Sequence, residues 1–182
     1  GSGSATINSS TGYITAVSAG TVTLSASSTG DSNYNGTTTS QLLIIGKSGQ
    51  VLSVTSASTM IVDGSLTASV SSTAIGGGGT LSFSITKIGH GSVLINSSTG
   101  LMKAMQSGTV ILVVTSSGNS NYASATVTQT ITVFKTTPTL TITSSNTMVV
   151  GGMLTASVNT TATYGRGGAI TFAIIAGSGS AT

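Results

Sequence analysis

The chain contains no cysteine and no tryptophan, one proline, and very little charge: 5 Lys+Arg, 2 Asp+Glu and one His among 182 residues. Because there is no cysteine, the chain cannot form disulfides, use a thiolate in catalysis or bind a metal through Cys ligands. Hydrolysis by paired carboxylates needs two acids held about 5–9 Å apart, and Asp31 and Asp63 lie far apart in the sequence. This inventory predicts a protein that is not an enzyme and that uses no cofactor.

The net charge of +3 is spread thinly along the chain. The basic residues are isolated: Lys47, Lys87, Lys103, Lys135 and Arg166. Nucleic-acid binding requires a basic cluster, and a membrane-spanning helix requires about 20 consecutive apolar residues. We therefore expect neither a nucleic-acid partner nor membrane insertion.

Ser and Thr supply 67 of the 182 residues. Hydrophobic residues still make up 38%, and the mean hydropathy is +0.44, whereas disordered chains are poor in apolar residues and strongly charged. Thr is β-branched and favours strands, and Ser and Gly favour turns. The composition predicts a folded, β-rich protein. A Ser/Thr/Gly surface poor in Lys and Glu is also typical of secreted bacterial proteins, so we expect an extracellular or cell-surface location.

The chain repeats itself with a period of 88 residues. The run Asn-Ser-Ser-Thr-Gly at 8–12 recurs at 96–100, and Leu-Thr-Ala-Ser-Val at 66–70 recurs at 154–158. An insertion near Thr163 is cancelled by a deletion shortly afterwards. Such a fixed period indicates a tandem-repeat architecture.

The first six and the last six residues of the chain have the same sequence. Gly-Ser-Gly-Ser-Ala-Thr occupies both 1–6 and 177–182, two periods apart. We expect the chain to be a window, beginning and ending within a repeat, that is cut from a longer array. A designed or proteolysed fragment is the alternative.

Hydrophobic alternation predicts strands throughout. Period-two patterns occupy 81–86, 125–133 and 140–143, and the fully apolar run 110–114 is typical of a strand covered on both sides. No segment has helical periodicity. About seven short strands per 88 residues, separated by turn residues, predict an all-β fold of tandem immunoglobulin-like β-sandwiches.

Residues 5–26 resemble the signature of bacterial Ig-like (BIg-type) domains: a hairpin with a central Gly leads to an Ala, and a Gly-Thr step opens a strand that ends in Ala. A looser copy at 91–115 has Met105 and Val114 where the family often has small residues. Residues 30–35 are similar to the loop before the last strand. The resemblance implies tandem modules of bacterial surface or secreted proteins, which serve as stalks, spacers or adhesin arms.

These patterns predict three domains that do not coincide with the chain ends. Residues 51–137 form a complete repeat, 1–50 the second half of a repeat and 138–182 the first half of another. Pro138 lies at a junction, where its fixed φ suits a stiff linker. Because the complete repeat separates the two halves, we expect residues 139–182 to pair with residues 7–50 of the next copy.

The loop 31–36 matches the opening D-x-N-x-N-G of a calcium loop. The position that needs a bidentate Glu holds Leu42, and the related loop at 119–123 has no carboxylate. An Asx-rich turn, with its Tyr packed under the sandwich edge, is the favoured interpretation.

The other polar motifs have equally simple interpretations. His90 lacks a metal-ligating neighbour. A Lys–Asn isopeptide bond needs a buried acid, but Asp63 lies in a turn and Gly151 replaces it in the related repeat. The glycines at 76–79 precede neither a helix nor a P-loop Lys, so they more simply connect two strands. No catalytic, cofactor or metal site is predicted.

Two further sets of residues concern glycans. Sequons, common by chance in so Ser/Thr-rich a chain, begin at Asn8, Asn35, Asn96 and Asn159. A glycan-binding face or edge packing would explain the tyrosines: Tyr13, Tyr34, Tyr122 and Tyr164.

Taken together, the repeat and the identical ends favour a structural segment of an extracellular fibre, filament or stalk that contacts neighbouring repeats or copies head to tail. The alternative is an adhesin module that binds glycan or a host surface.

Overall fold

The computed structural model describes residues 1–162 and 167–175, and within them the protein is all-β and contains no helix. The strands of the described residues are β1 (Ser4–Ile7), β2 (Ile14–Ser18), β3 (Gly20–Gly30), β4 (Asn35–Ile45), β5 (Leu52–Val54), β6 (Thr59–Ile61), β7 (Ser65–Thr67), β8 (Val70–Ser72), β9 (Leu81–Lys87), β10 (Ser92–Ile95), β11 (Leu101–Gln106), β12 (Gly108–Ser116), β13 (Ala125–Phe134), β14 (Leu140–Ile142) and β15 (Val158–Thr160). The strands predicted from alternation are confirmed as β9, β13 and β14, and the apolar run falls in β12.

The chain divides into two compact units, Gly1–Lys135 and Thr136–Thr182. The division lies close to the junction expected before Pro138. Residues 1–50, which the sequence assigned to a separate half-repeat, share the first unit with the complete repeat that follows them.

Residues 51–135 form two main sheets. The larger has the order β6-β13-β12-β9, and the smaller has the order β10-β11-β7; β5 and β8 form a separate antiparallel pair. Strand β12 pairs antiparallel with both β13 and β9, whereas β6 is parallel to β13.

The core lies where the two sheets meet. Val110, Leu112 and Val114 alternate along β12 and are fully buried, because their side chains share one face of the larger sheet. Met102 and Ala104 of β11, in the smaller sheet, belong to the same buried cluster. One cluster shared by two sheets is compatible with a β-sandwich. The intervening residues of β12 are half-buried, so the second face is only partly covered.

Two hairpins in the first unit are closed by the same device. In the turn between β10 and β11, Gly100 has φ 70°, and the side-chain Oδ1 of Asn96 accepts hydrogen bonds from the backbone N–H groups of Ser98 and Thr99. Between β1 and β2, Gly12 has φ 72° and Asn8 caps the turn in the same way. A left-handed residue is required at this point of the turn, and Gly adopts that conformation without a steric cost.

The hairpins of residues 4–45 are joined to the following repeat through backbone hydrogen bonds. Ser48 N–H donates to the Asn121 carbonyl (2.8 Å), and Ala123 N–H donates to the Ser48 carbonyl (2.9 Å). The side-chain Oδ1 of Asn121 also accepts from Ala19 N–H at 3.1 Å. This junction therefore joins the loop at 119–123 to the segment at 46–50 that leads into residues 51–135.

Among the described residues of the second unit, only β14 and β15 are strands, and they pair with each other. Their bounds lie 88 residues after those of β5 and β8, which also pair with each other. This part of the pairing pattern thus occurs twice in the chain.

Candidate functional site

The carboxylate of Asp31 is used within its own loop. One oxygen accepts hydrogen bonds from Asn33 N–H (2.8 Å) and Tyr34 N–H (2.9 Å), which closes an Asx turn between β3 and β4. Leu42, at the position of the missing calcium ligand, lies on β4 opposite Thr23 and is exposed. The geometry is that of a capped turn.

The related loop in the complete repeat has the same turn, closed by Asn119 in place of the acid. Its Tyr122 is half-buried, and the phenolic oxygen accepts a hydrogen bond from Ile75 N–H at 3.1 Å. Tyr34, 88 residues earlier, is 77% exposed. Edge packing therefore describes Tyr122 but not Tyr34.

His90 is exposed in the loop between β9 and β10. Asp63 occupies the turn between β6 and β7 with φ 66°, and Gly151 has φ 81° at the related position. Lys103 Nζ donates a hydrogen bond to the backbone carbonyl of Asp63. Within residues 1–162 and 167–175, no group of three His, Asp or Glu side chains could hold a metal ion.

The glycine run at 76–79 connects β8 to β9, as expected, and it also receives a polar side-chain cluster. The Gly78 carbonyl accepts hydrogen bonds from Gln50 Nε2 (2.9 Å) and from the buried Ser116 Oγ (3.0 Å). A Cβ at position 78 would lie 1.7 Å from Gln50 Oε1, so a larger residue there would displace the Gln50 side chain from this cluster.

Gln50 is the centre of this cluster. Its Nε2 also donates to the Ala123 carbonyl (2.7 Å), and its Oε1 accepts from Ser72 Oγ (3.1 Å). The side chain thereby fixes the chain where it enters the complete repeat. Sequence reasoning missed this residue because nothing in the local pattern distinguishes a clamping Gln from a solvent-exposed one.

The residues considered for glycans are dispersed. Tyr13 and Tyr34 occupy different turns and are 74% and 77% exposed. Of the sequon residues, Asn8 and Asn96 cap turns, while Asn35 and Asn159 are exposed in β4 and β15; Tyr164 lies outside the described residues. They do not converge on one described feature.

Two segments of the described chain instead contain strand positions without neighbours, and the pairing in residues 51–135 shows which neighbours these are. In residues 51–135, β5 pairs with β8, but β6, β7 and β9 pair with β13, β11 and β12, which come later in the chain. The early strands of this repeat therefore depend on its late strands for backbone hydrogen bonds.

Residues 139–175, here called the early segment, reproduce only the self-sufficient part of this pattern. The described residues that correspond to β6, β7 and β9, at 147–149, 153–155 and 170–175, form no strand, although the last retains the apolar alternation of β9. A strand must share its N–H and C=O groups with a neighbour, and within residues 1–162 and 167–175 these three positions have none.

Residues 4–45, here called the late segment, show the converse pattern. The hairpins β1–β2 and β3–β4 are formed, as are their counterparts β10–β11 and β12–β13. Among the described residues, however, β3 pairs only with β4, whereas β12 has neighbours on both sides. In the part of the chain that the structure describes, the late segment therefore has no equivalent of the neighbours that β6, β7 and β9 provide to residues 101–134.

The missing neighbours leave apolar side chains in water. Phe83 is 7% exposed in the complete repeat, and Phe172 of the early segment is 58% exposed. Met60 and Met148 differ in the same way, at 7% and 61%. The early segment thus exposes apolar side chains whose counterparts are buried, and the late segment has an open strand edge at β3, which is a template for strand addition.

The chain matches no known protein-family model, and no curated protein is significantly similar to it. No helix in the described residues is long and apolar enough to cross a membrane.

Proposed function

We propose that the chain is a structural segment of a long extracellular fibre or stalk, built from tandem Ig-like β-sandwiches with an 88-residue repeat. The observation that carries this proposal is the complementarity of the two segments. The unpaired positions of the early segment correspond to β6, β7 and β9. The strands that pair with those three, β13, β11 and β12, correspond to β4, β2 and β3 of the late segment. Successive copies in one polypeptide would complete one sandwich at every junction.

Two further features support a fibre. The backbone junction at Ser48 and the Gln50 cluster connect consecutive modules through hydrogen bonds rather than a free linker. A surface of Ser and Thr with a net charge of only +3 hydrates a long array with little mutual repulsion. Arrays of this kind gain stability from each core and from each neighbour interface, and they gain length by repetition.

Polypeptides that contain one, two or four successive copies of residues 1–176 test the proposal. We expect small-angle scattering and negative-stain electron microscopy to show thin rods whose length rises by a constant increment for each added copy. Compact particles would contradict it. Their radius of gyration would rise with the number of residues only as slowly as that of a single globular protein.

The adhesin hypothesis rests on Tyr13 and Tyr34, which are exposed aromatic side chains suited to sugar stacking. Binding of the chain to a glycan array, lost in Tyr13→Ser or Tyr34→Ser but retained in Thr11→Ser, would support this alternative. Rod formation without glycan binding would favour the fibre.

A further inference from the structure

We infer that separate copies of this chain associate head to tail, with the early segment of one copy completing the open sheets of the late segment of the next. This inference rests on the same correspondence between segments as the proposed fibre, but it concerns a non-covalent interface. Strand addition at an open edge is a common mode of protein recognition. The complete repeat provides the template for its register.

The central contact follows from β9 and β12. There, Phe83 lies opposite Val114 and Ile85 opposite Leu112. We transfer this pairing to the corresponding residues and allow for the insertion near Thr163. Phe172 then lies opposite Ala26, and Ile174 opposite Leu24, of the next copy. These pairs form an antiparallel extension of the sheet of β3 and β4.

Two more strands extend the same interface. The pairing of Leu66 with Met102 in the complete repeat places Leu154 beside Ile14 of β2. The parallel pairing of Met60 with Val133 places Met148 beside Ile45 of β4. Met148 and Leu154 are 61% and 45% exposed in the single chain. All three added strands would therefore bury apolar surface.

The surroundings of two corresponding glycines are consistent with this assignment. In the complete repeat, a Cβ on Gly100 would lie 3.1 Å from the Cβ of Ala68 and from the ring of Phe83. At the corresponding Gly12, nothing lies within 4 Å of the same position. The space that Ala68 and Phe83 fill beside Gly100 is therefore open beside Gly12, and Phe172 of a second copy is the residue that corresponds to Phe83.

A second copy is favoured over the chain's own early segment by the connections of the complete repeat. The chain enters it at Gln50, which contacts Ser116 and Ala123 at one end of β12 and β13. It leaves after Phe134, at the other end of the ten-residue β13, which at about 3.3 Å per residue is about 30 Å away. To pair with the late segment of its own chain, the early segment would have to turn back along this length. To pair with a second copy, it can continue in the direction in which it leaves.

Disulfide crosslinking tests the register directly, because the chain has no cysteine of its own. Ser84 lies opposite Val113 on the outer face, so Ala173→Cys in one copy is expected opposite Ser25→Cys in the next. Opposed strand residues have Cα separations that suit a disulfide. Mixing the two single variants under mild oxidation should give a crosslinked dimer.

The matched control combines Ala173→Cys with Thr21→Cys, which lies on the same face of β3 but four residues out of register. We expect no dimer from that mixture. In the double variant Ser25→Cys/Ala173→Cys, a ladder of multimers is expected on a non-reducing gel. A crosslinked monomer as the main product, or equal crosslinking of both mixtures, would overturn the inference.

The energetics are tested by sedimentation of the 182-residue chain. Phe172→Ser should raise the dissociation constant by at least about a hundredfold, because a large aromatic contact in a core is lost. Ala173→Ser, whose counterpart is the exposed Ser84, should leave it within about twofold. A wild-type chain that stays monomeric at high concentration, while the joined polypeptides still form rods, would refute this interface and leave the proposed fibre standing.

Discussion

At the residue scale, Gly12 and Gly100 are a natural pair for comparison. Both have φ near +70°, so an Ala side chain is strained by about 1–2 kcal/mol at either position. Only Gly100 also lies against Ala68 and Phe83. We expect Gly100→Ala to lower the free energy of unfolding in urea by clearly more than Gly12→Ala does in the dissociated chain. Equal losses would show that the packing around Gly100 contributes nothing.

A second comparison concerns two half-buried glutamines. The side-chain amide of Gln50 has hydrogen-bonding partners at both Nε2 and Oε1. Gln129 donates one hydrogen bond, from Nε2 to the Ser56 carbonyl at 3.3 Å, and its Oε1 is buried without a partner. Replacing Gln50 with Met should cost about 1–3 kcal/mol, because buried acceptors lose their donor. Gln129→Met should cost less, because it removes one long hydrogen bond to the Ser56 carbonyl and at the same time an acceptor that has no partner. Thermal melts of both variants check this, and a greater loss for Gln129→Met would contradict it.

At the element scale, β12 and β3 have related sequences in different surroundings. Leu112 of β12 is fully buried, and Leu24 of β3 is only half-buried. Leu112→Ala should lower the free energy of unfolding by about 3–5 kcal/mol, as core truncations do, and Leu24→Ala by less than about 1 kcal/mol in dilute solution. Hydrogen exchange of the β12 and β3 amides separates the two effects; similar loss of protection in both would be the contrary result.

The sequence predicts strands well where neighbours exist within the chain. Alternation identified β9 and β13, and the turn glycines delimit the hairpins. The same alternation at 170–175 forms no strand, because period-two hydrophobicity describes which face is buried and does not supply a hydrogen-bonding partner. The three-residue β6 and β7 are too short to show any period, and the role of Gln50 arises only when distant segments meet.

At the scale of the whole molecule, charge contributes little to stability. Stability changes with pH only as far as the folded and unfolded states bind different numbers of protons, and the chain has only two Asp, no Glu and one His. The melting temperature should therefore vary by no more than a few degrees between pH 5 and 8. A larger variation would reveal a titrating group that matters, since about 1 kcal/mol shifts a domain of this size by several degrees.

The parallel pairing of β6 with β13 has a mechanical consequence. β6 lies near the start of the complete repeat and β13 at its end, and they are held by flanking hydrogen bonds from Thr132 N–H to Ser58 and from Val62 N–H to Phe134. Tension applied along a fibre pulls these parallel strands in opposite directions, so their hydrogen bonds must break together in shear rather than one after another. In the proposed fibre, residues 51–135 would therefore resist stretching through this pair of strands.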